Sequence, residues 1–252
     1  MELERALEAD AGLICVVGAG GKKTTLYTLA NRLDRAVLTA TVRIPIFDGI
    51  VESVVVGDDP LSVTASHSDA WPIGLVPGRE GDRYLGFAPD IVSEIAATHD
   101  GPVLVKADGA RTREFKAPSE REPQIPSTAD VVLPIASVDA VGRALSAETV
   151  HRPERIAELT GLDRGQPITS ETIATVLTHP AGGLKSVPAG ATVIPVLNKV
   201  DDESDAAIGR EIARRIDDRL DLADSKPRGV SVPRIVLASM IEPTVVDVLE
   251  RS

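Results

Sequence analysis

GLICVVGAGGKKTTLYTLANRLDRAVLTAT, residues 12–41, falls into three pieces that decide the fold. Residues 12–17 form an apolar run without alternation, the pattern of a strand buried on both faces. The run breaks into glycines. From Thr24 onward Leu26, Leu29, Ala30 and Leu33 recur at helical spacing, and residues 36–41 read as a second buried strand. A strand, a helix and a strand joined this tightly are the unit of a parallel sheet.

The same alternation continues outward. Short strands are expected near residues 51–56, 73–76 and 84–87, without an assigned order. A helix is expected over 90–98 with Pro89 near its start, then a buried strand over 102–107. Residues 109–126 are polar and broken by Pro118, Pro123 and Pro126, so they are expected to form a long loop, and loops of that length inside a domain are often functional. Strands follow over 131–135, 192–197 and 234–238, and helices over 153–159, 170–177, 206–220 and 243–249, with a surface loop over 221–229. The expectation is one α/β domain spanning 1–252, with a doubly wound, largely parallel sheet.

Composition narrows the partners. The net charge of -11 and pI near 4.9 argue against nucleic acid or an anionic membrane surface. No apolar run approaches the ~18 residues of a membrane helix. Met1 leads into an acidic stretch rather than the basic start of a secretory leader, so a cytoplasmic protein is expected. The single cysteine, Cys15, lies in an apolar strand and reads as a small core residue. His67, His99, His151 and His179 are too dispersed for a histidine metal centre. Arginines far outnumber the seven lysines, a balance like that of salt-loving organisms. Five of those lysines fall in three short motifs, where anions would be handled.

The first motif is Gly18, Ala19, Gly20, Gly21, Lys22, Lys23, Thr24 and Thr25. Glycines let backbone N–H groups approach a phosphate, the helix start adds positive charge, and a lysine neutralises the terminal phosphates. A hydroxyl in the first turn, from Thr24 or Thr25, would bind Mg²⁺. The usual GxxxxGK[ST] spacing is not met, because Lys23 follows Lys22, so the loop is a shortened variant of the P-loop. The second motif is VLVKADGAR, in which Asp108 closes a strand where a nucleotide-binding sheet places a carboxylate near Mg²⁺. Arg111, Arg113 and Lys116 follow it and could meet phosphate. The third is NKxD, formed by Asn198, Lys199 and Asp201 after a buried strand, where GTPases read guanine; VLAS at 236–239 resembles its supporting loop. An Asn/Asp turn capping the next helix is the structural alternative. Thr39, Thr41 and Arg43 are explained almost as well by ordinary strand-end polarity.

Taken in order, GAGGKKTTL, GFAPD, KADGARTREFKAPSEREPQIP, VDAVGRALSAETVHR and LNKVD resemble the YqeC family. The resemblance implies a P-loop NTPase-like accessory protein of selenium-dependent molybdenum hydroxylases, and the acidic composition a haloarchaeal member. By position it makes Lys22 the loop lysine and Asp108 the aspartate of ADGA, with Lys116, Glu122 and His151 in the KAP, EP and VHR signatures. Lys23 stands where the family usually has threonine, and Lys106 where an acid commonly precedes ADGA. The implied function is binding of ATP or GTP with Mg²⁺, and its hydrolysis, during work on a molybdenum-hydroxylase apoenzyme or its cofactor. Lys22, Asp108, Arg111 and Lys116 are the candidate catalytic residues. The alternatives are a small-molecule kinase or nucleotidyl transferase, and a non-catalytic nucleotide-gated module.

Overall fold

Alternate residues of β1 (Leu13–Gly18) serve two separate cores. Leu13, Cys15 and Val17 join one with Ile173, Ile212 and Ile216, while Ile14 and Val16 join another with Leu26, Leu29 and Leu3. This is why the sequence there does not alternate: both faces of the strand are covered by helices.

The computed structural model describes residues 1–10, 12–66, 70–221 and 229–251. In chain order its elements are α1 (Leu3–Ala6), β1, α2 (Lys22–Ala30), β2 (Val37–Ala40), β3 (Ile44–Pro45), β4 (Ser53–Val56), α3 (Pro60–Ser66) and β5 (Ile73–Val76). Next come β6 (Arg79–Glu80), β7 (Arg83–Tyr84), α4 (Pro89–Thr98), β8 (Val103–Lys106), β9 (Phe115–Lys116), β10 (Val131–Ser137) and β11 (Val150–His151). The remainder is α5 (Pro153–Thr160), α6 (Ser170–Thr178), β12 (Thr192–Val193), β13 (Val196–Asn198), α7 (Glu203–Leu220), β14 (Arg234–Ser239) and β15 (Thr244–Glu250).

The main sheet has ten strands in the order β15-β14-β13-β10-β1-β8-β2-β5-β4, with β12 beside β10. All pair in parallel except β14 with β15. After β1 the chain builds one half of the sheet as far as β8, then crosses to build the other from β10. β1 and β10 therefore flank the point where the winding reverses, and ligands of open α/β sheets bind at the carboxyl ends of strands at such a point. No helix among the described residues is long and apolar enough to cross a membrane.

The helix expected over 243–249 is instead strand β15, antiparallel to β14. Thr244, Val245, Val246 and Val248 are β-branched, and a seven-residue helix rich in them has little to stabilise it against pairing with a free sheet edge. The strand expected over 192–197 is divided at Pro195, which has no N–H for a ladder, although both pieces lie beside β10. The strand expected near 84–87 shrinks to β7, in a separate small sheet with β3 and β6. The short helices α1 and α3 were not expected. His67 and most of the 221–229 loop lie outside the described residues.

Candidate functional site

Five neighbouring parallel strands, β14, β13, β10, β1 and β8, end on one edge of the sheet. Parallel pairing therefore gathers segments far apart in sequence: the glycine loop after β1, Asp108 after β8, Ser137 at the end of β10, Asn198 at the end of β13 and Ser239 at the end of β14. From β1 to β14 is three strand spacings, roughly 14 Å, the scale of an extended mononucleotide.

The glycine loop is held by close backbone approaches. Gly18, Gly20 and Gly21 have φ of 91°, 88° and 133°, the region that favours glycine. A Cβ on Gly20 would lie 2.5 Å from the Glu114 carbonyl oxygen and the Ser137 nitrogen, and one on Gly21 would lie 1.9 Å from Asn198 Nδ2. Three loop amides are already used within the protein. Gly18 N donates to Asp108 Oδ2 at 2.8 Å, Ala19 N to the Ile135 carbonyl at 2.9 Å, and Gly20 N to the Arg113 carbonyl at 2.9 Å. The amides of Gly21, Lys22, Lys23 and Thr24, at the start of α2, have no acceptor among the described residues. Those four amides and the helix dipole are what the loop offers an anion.

Beneath them lies a buried ion network. Lys22 Nζ is 2.8 Å from Asp108 Oδ1 and also donates to the Gly18 carbonyl. Lys116 Nζ is 2.9 Å from Asp108 Oδ2 and 3.1 Å from Glu122 Oε2, and donates to the Gly109 carbonyl at 2.5 Å. Arg152 Nη1 closes the chain at 2.7 Å from Glu122 Oε2. Parallel pairing of β9 with β11 sets His151 opposite Lys116, so the KAP, EP and VHR signatures meet in one place. Arg152 was not singled out from the sequence; only its position next to His151 could have flagged it. Three cations face two carboxylates here, and Lys106 stands close by on the α2 face of β8, its ammonium donating to the Arg43 carbonyl at 2.9 Å.

Burial shapes these charges. It alone would push the Asp108 carboxyl up, but the Lys22 and Lys116 ammoniums hold it below the ordinary range. Burial pulls the Lys22 amine down despite Asp108. It takes Lys106 to about 7, with Lys22 adding repulsion. His151 falls to about 4 through burial and then the charges of Arg152 and Lys116. With all of its contacts made and 3% exposure, Lys116 positions Asp108 rather than reaching into solvent. Arg111 is exposed, with φ of 49°, on the turn that leads away from Asp108.

The NKxD residues divide their work. Asn198 is buried and donates to the Gly20 carbonyl at 2.7 Å, tying the third motif to the first, while its buried Oδ1 has no partner among the described residues. Lys199 spans to Glu114 at 2.7 Å and Asp139 at 3.1 Å; burial lowers its amine, and those two partners more than restore it. Asp201 is exposed and accepts from Ser239 Oγ at 2.6 Å, which is the contact with the VLAS segment. Asp201 and Ser239 line a cavity of about 310 Å³ with Val200, Ile241, Glu242 and Val246. The helix-cap role of this segment falls to the next residue, Asp202, whose Oδ1 accepts from Asp205 N at 2.9 Å.

Two of the three expected Mg²⁺ donors, Asp108 and Thr25, are committed within the protein, while Thr24 is exposed. Mg²⁺ requires oxygen ligands in a near-octahedral set. Both Asp108 oxygens are in ion pairs, Thr25 Oγ1 is turned back onto the Gly21 carbonyl at 3.2 Å, and Thr24 lies exposed on α2. Among the described residues no group of three or more His, Cys, Asp or Glu could hold a metal. Other candidates have structural roles: Thr39 and Thr41 donate to the Leu75 and Gln124 carbonyls, Arg43 pairs with Glu80, and Cys15 is core. His99 bonds the Arg35 carbonyl and stacks on Trp71, and His179 accepts from Ala181 N.

Residues 14–154 match the family model described as "YqeC protein". Over 195 residues the chain is 31% identical to a protein of Escherichia coli (strain K12) named "Uncharacterized protein YqeC", an overlap of 74% of this chain and 75% of that one.

Proposed function

The chain belongs to the YqeC family, and from that premise we propose that it is a nucleotide-binding accessory protein in the maturation of molybdenum-containing hydroxylases. The observation that carries nucleotide binding is the free amide turn of Gly21 to Thr24 set over a buried cluster with excess positive charge, in a chain of net charge -11. In this reading the phosphates of ATP or GTP lie on that turn, with Lys22 as the point charge and Asp108 and Lys116 fixing its position. The base enters the cavity at Asp201 and Ser239, between the walls of Val200 and Ile241. Asn198 couples the two ends through Gly20. The link to molybdenum hydroxylases rests on the family resemblance.

Holding and gating are better supported than rapid hydrolysis. The Arg113 carbonyl occupies the Gly20 amide, so the 109–116 segment has to shift before phosphate can use it. His151, the imidazole of the network, is a weak base at about 4. Calorimetric titration of ATP and GTP into the protein, with phosphate release followed in parallel, tests the reading. Saturable one-to-one binding, weakened about tenfold or more in a folded Lys22→Met variant, is expected from loss of a charge-assisted contact. Unchanged binding in that variant overturns it. Phosphate release without an acceptor identifies a hydrolase, release only with an acceptor a kinase or transferase, and stoichiometric binding without turnover the gated module favoured here.

A further inference from the structure

A polyphosphate has to be neutralised where it binds, and the counter-charge can be a metal ion or a side chain. In a phosphate loop of the usual spacing, the residue after the loop lysine is a hydroxyl that ligates the metal. Here that residue is Lys23. Lys22, Lys106, Lys116, Lys185 and Lys199 each have a hydrogen-bonding partner, whereas the Lys23 side chain has none among the described residues. Helical Cα–Cβ bonds tilt toward the N-terminus, so Lys23, second residue of α2, leans toward the free amides. Lys23 belongs to this first turn, while the Lys22 ammonium is buried against Asp108 and the Gly18 carbonyl. The carboxylate nearest the loop, Asp108, is already neutralised by Lys22 and Lys116.

We infer that Lys23 takes the place of the metal ion, so that this site binds the polyphosphate of a nucleotide without Mg²⁺, using the Lys22 and Lys23 ammoniums as its counter-charges. The inference rests on the nucleotide reading above. It concerns the site's counter-ion, not its ligand class. A free ammonium close to phosphate oxygens supplies charge-assisted hydrogen bonds, and a second cation in the same turn repels a divalent ion at short range.

The test is titration of GTP, ATP and inorganic triphosphate into the wild type and Lys23→Thr, each in Mg²⁺ and in EDTA. Lys23 is only partly buried and has no ion pair among the described residues, so Lys23→Thr is expected to fold, as a thermal melt will check. In the wild type, affinity in EDTA stays within about threefold of that in Mg²⁺. Lys23→Thr binds about tenfold or more weakly in EDTA and recovers in Mg²⁺, the size expected for one short-range charge. A wild-type affinity that collapses in EDTA overturns the inference while leaving the nucleotide reading intact, as does a Lys23→Thr variant that binds normally in EDTA. Absence of binding in every condition removes the nucleotide reading, and the inference with it.

Discussion

Replacing Asp108 by asparagine changes charge but little shape. The amide oxygen of the new side chain would still accept from the Gly18 amide, now 2.8 Å from Oδ2, but Lys22 and Lys116, at 2.8 Å and 2.9 Å, lose the carboxylate charge, and Lys22 faces an amide N–H in place of an acceptor. Lys116 retains Glu122 at 3.1 Å, but among the described residues Lys22 is left with the Gly18 carbonyl alone. Removing one partner of a buried pair typically costs about 3–5 kcal/mol, because the other charge stays buried and uncompensated. The cost is largest between the unfolded carboxylate value of 3.8 and neutral pH. The buried Lys22 amine already has its pKa below 10.5, and without Asp108 it falls further, so the variant recovers stability as pH rises toward the unfolded value. In the wild type the sign is opposite for Asp108. Its lowered pKa gives a contribution fully present above the unfolded value of 3.8 and lost as pH falls through the folded one. Urea unfolding followed by circular dichroism at pH 7 measures the loss. Combining Asp108→Asn with Lys22→Met should cost less than the two single changes summed, by about 0.5–3 kcal/mol. An Asp108→Asn variant within about 1 kcal/mol of wild type, or strictly additive effects, would refute the network.

Three further outcomes are expected. Gly20→Ala places a Cβ against the backbone of Glu114 and Ser137 at a φ of 88°, and should lower stability by more than about 1 kcal/mol in the same urea assay. Lys106, held near 7 against 10.5 in the unfolded chain, makes the wild type gain stability as pH rises from 7 to 10. Lys106→Met lacks that gain, so its advantage of roughly 2–4 kcal/mol at pH 6 should shrink by pH 10, at about 1.4 kcal/mol for each pH unit climbed between the folded and unfolded pKa values; parallel stability curves would count against a buried ammonium there. Asp201→Ala should change the GTP-to-ATP preference in competition binding while preserving affinity for inorganic triphosphate, because in the proposed reading the base is set against Asp201, which accepts from Ser239; equal loss for all three ligands would place it elsewhere.

The parallel core was legible because its strands are buried on both faces: residues 12–17, 36–41 and 102–107 read as buried strands, and the structure has β1, β2 and β8 there. The terminal strand was not, since Val245, Val248 and Leu249 fit a short helix as readily as a paired edge, and only the β14 partner decides between them. Within the candidate site, the glycine loop, Asp108 and NKxD were visible as local motifs. Their meeting was not, because it depends on the strand order β13-β10-β1-β8, which no single stretch encodes. The saturation of Lys116 and the pairing of Lys22 with Asp108 are tertiary facts of the same kind.

The central claim is that nucleotide phosphate lies on the first turn of α2, and amide chemical shifts read that turn directly. With ¹⁵N-labelled protein titrated with GTP or ATP, the amides of Gly21, Lys22, Lys23 and Thr24 should show the largest shifts, with smaller ones at Asn198 and Asp201. Shifts confined to the opposite edge of the sheet, around Ser127, Asp130 and Gly190, or no shifts at saturating nucleotide, would contradict it.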